Sequence, residues 1–278
     1  MREYSTSRIL ALISISLFSF LVLGLCLTIL LFPYSDNPIA RYVTLNIPHL
    51  LCFIALAVSS HLLLGFSIFK LSTDRENFSF RLFFLSFSVA LVPILLTGLL
   101  SLTHISFTFD PRFDIERIVF FSLIIIITPL QCFCEELIFR VLLARLCYKN
   151  GLEGGVIKAL LVSSLSGLLF LLPHLFNNEV NLTKDIHILY LYYFLFGFLT
   201  MILAIYLKGF EASVAFHAAI NLFSALIINY KGSSLPTHPL IMLDNMENPI
   251  VDVMLLSIVF ILLIIAVTWA KKRSFKFE

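Results

Sequence analysis

Three short stretches of the chain carry side chains of the kinds that activate water and stabilise negative charge. Glu135, Glu136 and Arg140 fall within CFCEELIFRVLLARL, Phe170 and His174 within FLLPH, and His217 and Asn221 within HAAIN. Glu136 and Arg140 are four residues apart, on one helical face, with the acid N-terminal to the base, the favourable order for such a pair. Glu135 is rotated about 100° away and has no obvious partner on its own helix. One guanidinium cannot neutralise two carboxylates, so the group keeps a residual negative charge. Burial and a neighbouring like charge are the influences that fit a carboxylate for general-base work. His217 and Asn221 project from one face, as do Phe170 and His174. An acid, two imidazoles and an amide converging from three helices could hold and activate a water and stabilise an oxyanion.

The elements that must position these groups are membrane spans. Of 278 residues, 60% are hydrophobic, 13% are charged and 29 are Phe. A soluble chain of this size cannot bury so much apolar surface, which excludes a soluble enzyme and a disordered regulator. A net charge of +2 without a basic stripe excludes nucleic acid as a partner. About 20 apolar residues cross the hydrocarbon, and eight stretches approach that length: 9–33, 47–71, 82–105, 118–144, 158–176, 187–207, 209–228 and 250–270. The expected fold is an all-α integral membrane protein, residues 1–278 forming one domain of about eight transmembrane helices in one bundle. Its motif-bearing core is about 118–228. A polar loop follows at 229–249, and a basic tail at 271–278 should lie on anionic headgroups.

With both termini in the cytoplasm, only Arg41, Arg112, Arg117, Lys184 and Lys231 of the 19 basic residues fall on the opposite side, apart from Arg140 inside a span. The positive-inside rule favours that orientation. Tyr190, Tyr192 and Tyr193 read as anchors at the membrane interface. Pro173 should kink the fifth span or end it. Depth counting from Lys158 puts His174 too far along for the level of Glu135, so the fifth helix should enter the membrane nearer residue 163 or tilt strongly. The five Cys, an odd number without a CxxC pair, read as small apolar helix residues.

The three stretches resemble the motifs of the CPBP family of intramembrane proteases, which includes the type II CAAX prenyl endopeptidases and the Abi bacteriocin-immunity proteins. The family patterns EExxxR, FxxxH and HxxxN or HxxxD appear as EELIFR, FLLPH and HAAIN, in order, on the fourth, fifth and seventh spans. The resemblance implies a glutamate-dependent intramembrane endopeptidase that works without metal or other cofactor. Glu135 and His174 would hold and deprotonate the attacking water, and His217 and Asn221 would donate to the oxyanion. Glu136 and Arg140 would support the site, and Phe170 would shape the cavity wall. The implied partners are membrane lipids and a peptide or membrane-protein substrate, prenylated or not. The compartment would be a bacterial cell membrane or the endoplasmic reticulum membrane.

Other readings of the same residues stand beside this one. A helix-packing network accounts for Glu136 and Arg140 but poorly for Glu135. Zinc held by a Glu with His174 and His217 is a rival that chelator sensitivity separates. A Cys132–His pair is conceivable but would be inert when buried. A non-proteolytic adaptor or immunity factor of the same family is the alternative of a different class, and a proton-coupled carrier using Glu135 is another. His49, His61, His104, His187 and His238 are expected to be dispensable.

Overall fold

The computed structural model describes residues 5–34 and 37–272. Long apolar helices dominate it: α1 (Thr6–Tyr34), α2 (Pro38–Leu64), α3 (Phe80–Ser101), α4 (Ile115–Cys147), α5 (Val156–His174), α6 (Ile186–Leu207), α7 (Glu211–Leu226) and α8 (Pro249–Lys272). Their starts follow local chemistry. Asn37 caps α2, its Oδ1 accepting from the Ile39 amide at 2.7 Å with Pro38 in the first turn. Asp114 caps α4 by accepting from the Arg117 amide at 2.9 Å. Along the outside run apolar side chains such as Ile29, Leu62 and Ile126, all more than half exposed. In water that surface would be untenable; in lipid it is the solvent-facing side. The protein is an integral multi-pass membrane protein.

Seven of these helices have the length and composition to cross a bilayer. The exception among the eight expected spans is α7, whose 16 residues reach about 24 Å, short of the roughly 30 Å hydrocarbon. It is an interior helix with Ala212, Ala215, Ala218 and Ala219 all buried. Its first residue, Glu211, is 0% exposed and is bound by Arg75 Nη1 at 3.0 and 2.9 Å and by the Ser79 amide at 3.1 Å. The helix therefore starts sunk within the bundle, while α5 starts at the surface with Val156 75% exposed. Helix α5 runs from Val156 to His174, so Pro173 stands one residue before its end. Ile9 and Leu12 of α1 pack in one core with Tyr148 and Leu152, and Tyr206 meets Thr268 near the end of α8 at 3.2 Å. The first and last helices thus share the end of the bundle that holds Arg75 and Arg145.

The region 229–249, expected as a loop, is partly a small sheet at the other end. Strands β1 (Phe107–Phe109), β2 (Ile228–Tyr230) and β3 (Ile241–Leu243) stand in the order β1-β3-β2, with β1 antiparallel and β2 parallel to β3. The expected interface anchors Tyr192 and Tyr193 instead face inward: Tyr193 is buried, and both line the central cavity. Of the basic tail, residues 273–278 and the side chains of Lys271 and Lys272 lie outside the described residues. All five Cys are free.

Two features of the bundle set the site. A π-turn, Leu137–Val141, follows directly after Glu136, and the Leu142 amide bonds Leu137 O five residues back. Such turns widen a helix locally and recur at functional sites. Helices α5 and α6 meet at Gly167 and Gly197, where a Cβ on Gly197 would lie 2.9 Å from the Gly167 Cα and the Phe170 Cβ. Gly197→Val is expected to force α5 outward and to lower stability in detergent by about 1–3 kcal/mol, the usual cost of overpacking. A native melting temperature would show the approach to be looser than described.

Candidate active site

Glu135 and Glu136, the last two α-helical residues of α4 before the π-turn, both point inward. Glu136 is fully enclosed. Its Oε1 accepts from Arg140 Nη1 at 2.6 Å and from His217 Nδ1 at 2.9 Å, and its Oε2 accepts from Ser213 Oγ. The Arg140 guanidinium, also 0% exposed, lies over the Phe170 ring at 4.4 Å and near Phe196 at 5.4 Å. The i,i+4 pair expected from spacing is therefore present, and α7 joins it through Ser213 and His217.

Glu135 has more partners than expected. Gln131, four residues back on the same helix, donates to Oε1 at 3.1 Å. His49 Nε2 lies 3.3 Å from that same oxygen. The other oxygen, Oε2, faces His217 Nε2 at 3.7 Å. Sequence reasoning missed Gln131 and set His49 among the dispensable histidines, whereas the structure puts it against the acid. Gln131 carried a readable signal, an amide one turn before the acid; His49 carried none, because it sits on α2 far from every motif.

His174 ends α5. Its Nδ1 donates to Phe170 O at 2.6 Å, a carbonyl that can only accept, so Nε2 is left as an acceptor. The ring stacks between Phe170 and Tyr193, with centroids at 4.2 and 4.6 Å. The contact with Phe170 is the i,i+4 neighbourhood of FLLPH realised as a stack.

Glu135, Phe170, His174, His217 and Asn221 all line one cavity of about 410 Å³, with His49 and Gln131 beside them. All four expected catalytic residues and Phe170 are thus brought together, while Glu136 and Arg140 stand behind the wall. Toward the sheet end the cavity is bounded by Glu179, Tyr192, Tyr230 and Asp252. Its charged lining comprises Glu135, Glu179 and Asp252, with no Lys or Arg among the lining residues. Among the described residues, no group of three or more His, Cys, Asp or Glu is arranged to hold a metal ion. Cys132 is buried beside Asn221 and outside the cavity lining.

The fold and the site define a polytopic membrane protein with a buried carboxylate–imidazole centre in a polar cavity. Residues 117–223 match the family described as Type II CAAX prenyl endopeptidase Rce1-like, so the chain carries an Rce1-like domain of the CPBP family. The match runs from the first turn of α4 into α7 and contains all three motifs; α1 to α3 and α8 lie outside it. No curated protein and no solved structure matches the chain. At the level of the family, the activity is that of a CAAX-protease-like intramembrane endopeptidase.

Proposed function

We propose that the chain hydrolyses a peptide bond within the membrane by a glutamate-activated water, without a metal. The observation that carries this reading is the convergence of Glu135, His174, His217 and Asn221, from three helices, on one cavity. A water bound between Glu135 and His174 attacks the scissile carbonyl carbon and gives its proton to Glu135 Oε2. Since Nδ1 of His174 is engaged by Phe170 O, its Nε2 accepts the water's second hydrogen and orients the lone pair. The carbonyl oxygen becomes an oxyanion that accepts from His217 Nε2–H and the Asn221 amide. With Nδ1 also donating to Glu136, His217 acts as an imidazolium, and its charge with that of Arg140 balances the two carboxylates. Collapse breaks the C–N bond, and the proton on Glu135 passes to the leaving nitrogen. The substrate is a peptide or membrane-protein segment, and the CAAX-type chemistry of the family makes a prenylated one the first to try. The end of the bundle shared by α1 and α8 faces the cytoplasm.

The test is to compare protein termini in membranes of cells carrying either the native chain or Glu135→Ala at equal abundance. Termini that arise only with the native chain are expected, and they name a substrate. Identical termini, with the biological phenotype preserved in the variant, would move the chain to the non-proteolytic adaptors of its family. On a substrate so found, Asn221→Ala is expected to lower kcat by about 10²–10³, the contribution of one oxyanion donor. Chelators are expected to leave the native rate unchanged.

A further inference from the structure

His49 belongs to α2, outside residues 117–223 and outside all three motifs. Even so, its Nε2 stands 3.3 Å from Glu135 Oε1, the oxygen that also accepts from Gln131 at 3.1 Å. An ionised carboxylate only accepts, so the contact places the hydrogen on Nε2. The Gln131 hydrogen bond and the His49 contact both fall on Oε1, and Oε2 is the oxygen turned toward His217. The second nitrogen, Nδ1, is buried with no hydrogen-bond partner among the described residues. Packing therefore orients the ring: Phe20 meets it edge-on, with centroids 5.0 Å apart and planes at 77°.

The neighbouring backbone is built around this side chain. Pro48 precedes His49 inside α2 and, lacking an N–H, deprives Thr44 O of its helical donor. Thr28 of α1 supplies the missing hydrogen bond, its Oγ1 donating to Thr44 O at 3.1 Å. Gly24 lets α1 approach this proline, because a Cβ there would fall 2.5 Å from the Pro48 Cα. Gly24 and Phe20 both lie in a π-turn of α1, Phe18–Gly24. One irregular turn thus provides both the close approach to Pro48 and the ring against His49.

We propose that His49 is a positioning residue for Glu135: its Nε2–H, with the Gln131 amide, anchors Oε1 so that Oε2 presents to the water. The inference rests on the reading of Glu135 as the general base. Its test uses the full-length chain in liposomes with a substrate from the terminus comparison, and four proteins: native, His49→Gln, His49→Asn and Glu135→Gln. The Gln amide places a donor where Nε2 stands, whereas the Asn amide reaches only the position of Nδ1. His49→Asn is expected to lower kcat about tenfold or more with KM little changed, the effect of losing a hydrogen bond to a charged group. His49→Gln is expected to recover most of that loss. Two equally polar variants that differ only in donor position separate this role from a general packing role, and equal melting temperatures check the fold. Native kinetics in His49→Asn, equal impairment of both variants, or a rise in KM alone would each overturn the proposal. If Glu135→Gln is inactive and His49→Asn is native, this inference alone fails. If Glu135→Gln cleaves at the native rate, the reading of Glu135 fails first.

Discussion

Glu135→Gln is expected to lower the cleavage rate by about 10²–10⁴-fold, the range that a positioned general base contributes, while leaving the protein folded. The amide has the shape of the acid, and its oxygen can still accept from Gln131 and His49, so the local geometry survives. It cannot take a proton from water. Nor can Glu136 substitute, although it is adjacent in the chain: Oε1 is held by Arg140 and His217, and Oε2 by Ser213. Glu135→Asp keeps the charge but draws the carboxylate back by one methylene, and a displacement of that size at a reacting atom still lowers the rate about 10²-fold. The measurement is kcat and KM on a labelled substrate in liposomes, with thermal unfolding as the control. Substantial cleavage by Glu135→Gln would return Glu135 to a packing role.

The second large effect is on stability. Arg140→Ala removes a fully buried charge and strands Glu136, which is itself 0% exposed. Breaking a buried pair from one side costs about 3–5 kcal/mol. The variant also loses the guanidinium's contacts with the Phe170 and Phe196 rings, so α4 separates from α5 and α6 at the level of the site. A fall in melting temperature large enough to reduce accumulation in the membrane is expected, together with loss of cleavage. The double change Glu136→Gln with Arg140→Met should recover much of the stability, because an apolar replacement of similar volume removes the unpaired charge. It should not recover activity, since His217 then loses the carboxylate that holds its Nδ1. Recovery of both would show that the pair serves packing alone.

Much of this was legible from short-range pattern, for a physical reason. Hydropathy located every long helix because a backbone in lipid must satisfy its own hydrogen bonds, and a helix does so within one segment. The Glu136–Arg140 pair and the Phe170–His174 stack were readable because residues four apart on a helix are neighbours whatever surrounds them. The same rule covers Gln131 and Glu135, and that pair was missed only because an uncharged amide was not sought as a partner for an acid. Misreadings cluster where a residue's surroundings depend on another segment. Tyr192 and Tyr193 have the composition of an interface belt, but the packing of α6 against α5 turns them into the cavity. The apolar stretch of α7 looked like a span, but its short length and the sunken clamp of Glu211 by Arg75 make it an interior helix.

Sequence alone determined the membrane character, the run of helices, the three motif faces and the local ion pair, all of which arise from the period of a helix and the transfer of side chains into lipid. The tertiary structure decided which oxygen of Glu135 is anchored and which is turned to the cavity, because that depends on His49 and His217, 86 residues before and 82 residues after it in their distance from the acid by number. No periodicity relates residues so far apart. Only the approach of α2 to α4 at His49 and Glu135, and of α7 to α4 at Ser213 and Glu136, brings them together.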